Sequence, residues 1–313
     1  MKTIPTAEQR EFASALRALL AAENPVDLVR ALDEPGADRG TPALWKALTD
    51  AGVFGLAIAE EYGGAGGSLD DLAVFSTEAG RALCPTTVHS SILAALAIDE
   101  LGSQDDKARW LPPMAAGSIR ATTALHNARD AAVITPALRA DLDRGHWRLD
   151  GTVDYVLDAD VADLIVVSAA ADGRALAFVV DVRDLRTEPL DMAGGIRAFT
   201  VRFDNVDAAA PLDGVTAPAL RRLANTAVAL GSLDLVGVGE AVLDRTVDYT
   251  KLRHQFGRPI ASFQAAQHLV ANMHIGLAAA RLAAHAAVFW LGRGRVASRE
   301  TAIARMHAAT AAR

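Results

Sequence analysis

Residues 217–252 constrain this chain more than any other stretch. The pattern predicts one unbroken helix about 50 Å long at 1.5 Å per residue. Its middle, TAVALGSLDLVGVGEAVL, is apolar nearly all the way round. Such a helix cannot lie on a surface with one wet face, so it belongs in a bundle core or a subunit interface. Gly231, Gly237 and Gly239 weaken it, and close helix–helix approach is the reason to keep them. A second apolar helix is expected over 260–292, and a third from Ser298 that is still running at Arg313.

Between the first two helices lies DYTKLRHQFGRPIASFQAAQH, residues 248–268. Gly257 suits a helix stop, because it takes positive φ without steric cost. Pro259 suits the first turn of the next helix. Arg253, Gln255, Phe256 and Arg258 are then displayed at a helix–helix corner. The two arginines can pair bidentately with a phosphate, and Phe256 adds a flat apolar surface. The plainer reading is a solvated corner with a buried Phe.

The rest of the chain divides by pattern. Up to residue 118 it reads as helices: 6–23, ended by Asn24 and Pro25; 42–51; 69–83, with Ser68 and Asp71 as a cap; one from Pro85 to Gly102; and a short one capped by Ser103, ending before Pro112 and Pro113. DEPGADRG at 33–40 is a loop, and GVFGLAIAEEYGGAGGS at 52–68 is irregular and glycine-rich. After Gly117 come short β-branched runs punctuated by Asp, Gly and Asn, which predict an antiparallel β domain. The expected class is therefore α+β, with a helical domain at 1–118, a β domain at 119–214 and an incomplete helical bundle at 215–313.

The 313 residues carry a net charge of −7, with a pI near 5.6. That mild acidity argues against nucleic acid as a partner. A single cysteine, Cys84, excludes an internal disulfide framework and fits a reducing cytoplasm. The N-terminus MKTIPTAEQREF has no hydrophobic signal core, and no window offers the uninterrupted apolar span of a membrane helix, so no membrane is expected. The eight histidines show no His-x-x-x-His pair, so no metal site is expected. His268 and His274 read as core or interface residues. There is no GxSxG elbow. The run Gly63–Gly67 reads as a turn rather than a phosphate cradle. Gly237-Val-Gly239 lies inside a helix, not after a strand, so it is no dinucleotide fingerprint.

The order of helical domain, β domain and helical bundle resembles the acyl-CoA dehydrogenases. GVFGLAIAEEYGGAGGS is similar to that family's Pro-Glu-Glu-Tyr-Gly-Gly segment. FDNVDAAAPL (203–212) resembles its exit from the β domain. RHQFGRPIASFQAAQH (253–268) resembles its Arg-x-Gln-Phe-Gly…Phe-Gln corner. In the family each FAD lies between two subunits, and the corner of one reaches the pyrophosphate and adenosine held by the other. The resemblance implies that Arg253, Gln255 and Phe256 make this reach, with Phe263 and Gln264 beside them.

The departures from the family pattern are as informative. Its first flavin motif reads roughly Leu-Thr-Glu-Pro…Gly-Ser-Asp; here Leu125 is followed by His126, Asn127, Ala128, Arg129, Asp130, Ala131 and Ala132. Its second reads aromatic-Ile-Thr/Ser-Asn; here it is Tyr155-Val156-Leu157-Asp158. Each lost donor is worth about 1 kcal/mol or more. The family's catalytic glutamate falls beyond Arg313 by resemblance, and its alternative position matches Ala227, which is no base. No catalytic residue is therefore expected in this chain.

The resemblance thus implies a shortened subunit that pairs with a full-length homologue in a heterotetramer. That partner supplies the isoalloxazine pocket and the base, and this chain lends its corner to a shared FAD. The assembly would dehydrogenate an acyl-CoA, fatty or sterol-derived, and pass electrons to an electron-transfer flavoprotein or similar acceptor. The alternatives are a non-enzymatic structural or acyl-CoA-binding homologue, and an independent enzyme using His126 or Asp158 as base.

Overall fold

The computed structural model describes residues 5–34, 37, 39–125, 133–192 and 196–312. The helices are α1 (Ala7–Glu23), α2 (Val26–Ala31), α3 (Pro42–Asp50), α4 (Leu69–Ala82), α5 (Thr86–Leu101), α6 (Gln104–Ala115), α7 (Ala217–Leu252), α8 (Gln264–Leu291) and α9 (Ser298–Ala311). The strands are β1 (Ala121–Ala124), β2 (Leu138–Asp143), β3 (His146–Leu157), β4 (Leu164–Ala171), β5 (Arg174–Asp181), β6 (Arg186–Leu190), β7 (Ala198–Ala208), β8 (His254–Gln255) and β9 (Arg258–Pro259). The described residues form two compact units. One comprises residues up to Val26, Leu69–Cys84 and Val228 onward; the other comprises Asp27–Ser68 and Pro85–Ala227.

In the second unit, helices flank a seven-stranded sheet ordered β1-β4-β2-β3-β7-β6, with β5 on the other edge of β4. The sheet is mixed, which corrects the antiparallel expectation. β1 pairs parallel with Leu164–Val167 of β4, and β2 pairs parallel with Ala169 and Ala170 farther along the same edge. The chain keeps one direction along β4 from β1 to β2 before it turns back. Strand alternation records which side chains face the core and says nothing about direction, which the connections decide. The β2–β3 turn (Arg144-Gly145) and the β4–β5 turn (Asp172-Gly173) each place two residues at positive φ. These are mirror-image two-residue turns, whose twist matches the strands they join. One core lies on the β face, around Leu149, Phe178, Val201 and Phe203. Another lies beneath α5 and α6, around Ile98, Leu101, Leu111 and Val166.

α6 runs through Pro112 and Pro113 to Ala115, where the sequence predicted a stop. Two helical hydrogen bonds are forgone there. Leu111, Met114 and Ala115 are nonetheless buried in the core beneath α5, and that burial holds the backbone helical. β3 likewise joins two predicted runs into one strand, which absorbs the mismatch in register shifts at Leu149/Gly151 and Val153/Val156.

In the first unit, α1 and α4 pack with the later part of α7 and with α8 and α9. The small residues Ala73, Ala229, Ala284, Ala287 and Ala304 meet Leu233, Val288 and Leu291 there. The interior glycines divide sharply. A Cβ on Gly237 would lie 2.0 Å from the Thr77 carbonyl oxygen, and one on Gly80 would lie 2.0 Å from that of Asp234. α4 and α7 therefore touch backbone to backbone. Gly239 faces Leu277, and Gly231 faces open space. Close approach accounts for two of the three glycines in α7. Arg17 donates two hydrogen bonds, of 2.9 and 2.7 Å, to the buried Glu78, which ties α1 to α4.

α7 and α8 are both long and apolar enough, by length and composition only, to cross a membrane, against the expectation that no such span exists. The apolar window of α7 is 50% buried within the protein and that of α8 is 33% buried.

Candidate functional site

The corner is a hairpin. α7 ends at Leu252, five residues before Gly257. β8 and β9 then pair His254 with Pro259 and Gln255 with Arg258, leaving Phe256 and Gly257 as the turn. Their φ values of 53° and 78° again make a mirror-image two-residue turn. Gly257 thus serves a turn rather than a helix stop. The Ile260 amide donates to the Arg253 carbonyl at 2.8 Å and closes the base. Pro259 precedes a single 3₁₀ turn, Ile260–Ser262, and α8 begins at Gln264, four residues later than predicted.

Arg253, Gln255 and Gln264 are exposed, and Phe263 is half-buried. Phe256 is 92% exposed, which overturns the buried-Phe reading. Its ring meets that of Phe263 edge to face, with centroids 6.2 Å apart. The Arg258 guanidinium lies 4.1 Å from the Phe263 ring centre. Among the described residues neither Arg253 nor Arg258 forms an ion pair. The five residues singled out from the sequence are thus gathered at one exposed corner. Arg258, displayed at the same corner by the sequence, stands directly across the turn from Gln255.

Beside the corner, α7 and α8 border an open groove of about 780 Å³, lined by Asp244, Val247, Asp248, Lys251, Val270 and His274 among others. Tyr249, Leu252, Leu269 and Ile275 are exposed on the same helices. His268 and His274 are exposed as well, so neither is a core residue.

The second candidate region is the end of β3. Val156 is buried and Leu157 is partly exposed. Tyr155 and Asp158 both take positive φ, 61° and 55°. The Asp158 side chain is buried, and both its oxygens are engaged: Thr86 Oγ1 donates at 2.8 Å and Ser90 Oγ at 2.7 Å, both from the first turns of α5. Burial raises its pKa above the ordinary carboxylate value, against the pull of those two bonds. A carboxylate spent on two hydroxyls inside the protein does not face a substrate, so Asp158 is no base. Residues 126–132, including His126, lie outside the described residues.

These observations test the cofactor that the resemblance implies. The corner fits an FAD diphosphate and adenosine: it offers unspent guanidinium and amide donors beside an exposed flat ring. The end of β3 does not fit a flavin ring that needs hydroxyl donors, since Leu157 has none and Asp158 is consumed internally. Ala227, half-buried on α7, has no group to titrate.

The glycine segment settles into a turn. The amides of Gly64, Ala65, Gly66 and Gly67 donate to the carbonyls of Ala59, Gly55, Ile58 and Leu56. With those donors spent inside the segment, none is left to cradle a phosphate. Among the described residues no three His, Cys, Asp or Glu side chains gather as metal ligands would.

Two family models match the chain: acyl-CoA dehydrogenase, N-terminal domain, over residues 6–118, and acyl-CoA dehydrogenase, C-terminal domain, over residues 217–313. The chain is 31% identical over 280 residues to the acyl-CoA dehydrogenase IpdE2 of Mycobacterium tuberculosis, covering 88% of this chain and 74% of that one. Among solved structures, a variant of the Tcur3481–Tcur3483 steroid ACAD superposes with a TM-score of 0.87 at 30% identity, covering 97% of this chain and 83% of that one. The ChsE4–ChsE5 complex of Mycobacterium tuberculosis superposes with a TM-score of 0.88 at 27% identity, covering 99% and 85%.

Proposed function

This chain belongs to the acyl-CoA dehydrogenase family, and on that footing we propose that it is a cofactor-lending subunit of a heteromeric acyl-CoA dehydrogenase. In this reading it carries no catalytic residue of its own. A full-length homologous subunit holds FAD and the base, and the hairpin corner of this chain reaches that FAD. FAD, held in part by Arg253, Gln255, Gln264 and Phe256 of this chain, would supply hydride-acceptor chemistry for α,β-dehydrogenation of an acyl-CoA, with the α-proton going to a base of the partner. Arg253 neutralises the diphosphate without risk of deprotonation. Gln255 and Gln264 supply amide donors, and Phe256 presents its ring to the adenosine.

The observation that carries this reading is Phe256 itself. A bulky residue at positive φ costs roughly 1–3 kcal/mol. A Phe ring left in water adds a hydrophobic cost. Among the described residues Phe256 has an edge contact with Phe263 and is otherwise left open to solvent. A partner that covers the ring accounts for both. The altered end of β3 supports the same division of labour, since Leu157 and Asp158 offer a flavin ring no free donor. The two similar structures named for pairs of chains, ChsE4–ChsE5 and Tcur3481–Tcur3483, support a hetero-oligomer, for which we propose two copies of each chain. The steroid ACAD among them supports a steroid-type or other bulky acyl-CoA as substrate. We place the assembly in the cytoplasm, with an electron-transfer flavoprotein or similar acceptor.

The test is co-expression with the full-length family subunit that co-purifies with this chain, followed by the ratio of flavin absorbance to protein. Arg253→Ala should leave the complex assembled and strip most of its FAD. Unchanged FAD content would make the corner structural. A stable complex without flavin would make the chain a non-enzymatic homologue.

A further inference from the structure

We infer that Arg258 is a second phosphate-binding guanidinium of the corner, and that Phe263 acts through it as its support rather than as a contact to the ligand. This rests on the cofactor-lending reading. In the two-residue hairpin Gln255 and Arg258 are directly opposed, so alternation puts their side chains on one face, with His254 and Pro259 on the other. The Arg258 guanidinium lies 4.1 Å from the centre of the Phe263 ring, and that ring braces Phe256 edge to face. The three side chains form one cluster around the half-buried Phe263 just before α8.

A guanidinium that lies over a ring face can keep its in-plane N–H donors for a phosphate fork. Among the described residues no carboxylate competes for them. Arg253 has the same charge, but among the described residues no hydrogen bond, ion pair or ring contact holds its side chain. Arg258 is therefore the better organised of the two, and less side-chain freedom is lost when it binds. The ligand this arrangement fits is a diphosphate joined to a flat base, with the charge beside Gln255 and Arg258 and the base beside Phe256.

The experiment is a double-mutant cycle on the co-expressed complex, reading the dissociation constant of FAD re-added to flavin-free protein by fluorescence. Arg258→Ala should weaken FAD about tenfold, the size of one lost charged hydrogen bond. Phe263→Leu should weaken it several-fold. The double variant should fall short of the product of the two losses by about two- to fivefold, the size of an exposed cation–π contact. Losses that simply multiply would show that Phe263 does not act through Arg258, and wild-type affinity in Arg258→Ala would remove Arg258 from the site. Either result overturns the inference. Arg258→Lys keeps the charge and loses the flat stack. If Arg258→Ala does not assemble, wild-type affinity in Arg258→Lys overturns the inference. FAD loss in Arg253→Ala alone would sink this inference and leave the lending reading standing. FAD retained in both alanine variants, or absent from the wild-type complex, would sink both.

Discussion

Replacing Asp158 by Asn tests how the end of β3 is held. In the folded chain burial raises the pKa of this carboxyl above its ordinary value of about 3.9, outweighing the bonds from Ser90 and Thr86. Between the ordinary and the raised value, the folded state holds a proton that the unfolded state has released. Stability from this group is therefore fully present below the ordinary pKa. It declines as pH rises through that interval, by at most about 1.4 kcal/mol per pH unit, and is gone above the raised pKa. When ionised, the wild-type side chain bears a desolvation cost together with two charge-assisted bonds, each worth about 1.5–3 kcal/mol. Asn bears no ionisation cost. Its amide oxygen accepts from one hydroxyl, and the other hydroxyl turns to accept from its NH₂, so about one charged bond is lost. Where Asp158 is ionised, gain and loss nearly offset, and the variant should lie within about 2 kcal/mol of the wild type. Toward pH 4.5 the wild type should pull ahead. Urea unfolding followed by circular dichroism, run on both proteins from pH 4.5 to 7.5, gives the difference directly. A wild-type advantage that stays constant, or that grows with pH, would refute the claim that burial dominates this carboxyl.

Three further outcomes follow from the helical unit. Gly237→Ala should cost about 1–3 kcal/mol or more, because its Cβ would sit 2.0 Å from the Thr77 carbonyl oxygen. Gly231→Ala, facing open space in the same helix, should gain up to about 1 kcal/mol; urea midpoints of the pair decide it. Arg17→Met removes both hydrogen bonds that Arg17 makes to Glu78, but Arg81 stays 3.8 Å away and Arg17 is more than half exposed. The loss should therefore be about 1–2 kcal/mol, below the 3–5 kcal/mol of a fully buried broken pair. Cys84 is buried and its thiol pKa is pushed well up by burial, so a thiol reagent at pH 8 should label it only after denaturant is added.

Much of the architecture was legible because periodicity reports burial. α7 spans 217–252 as its pattern predicted, and the β-branched runs are strands. The corner residues were legible as a set, since a short motif keeps its members adjacent in space. What the sequence could not convey depends on what a residue meets at a distance. Pro112 and Pro113 look like a helix end until Leu111 and Met114 are seen in the core. Strand direction in β1, β2 and β4 follows from the path of the connections, which alternation does not encode. Phe256 left both a displayed and a buried reading open, and the Phe256-Gly257 turn decides for solvent. Gly231 and Gly237 are identical letters six residues apart in one helix. One is forced by the backbone of α4 and the other is not, because helix propensity is a local property and close approach belongs to the packed pair.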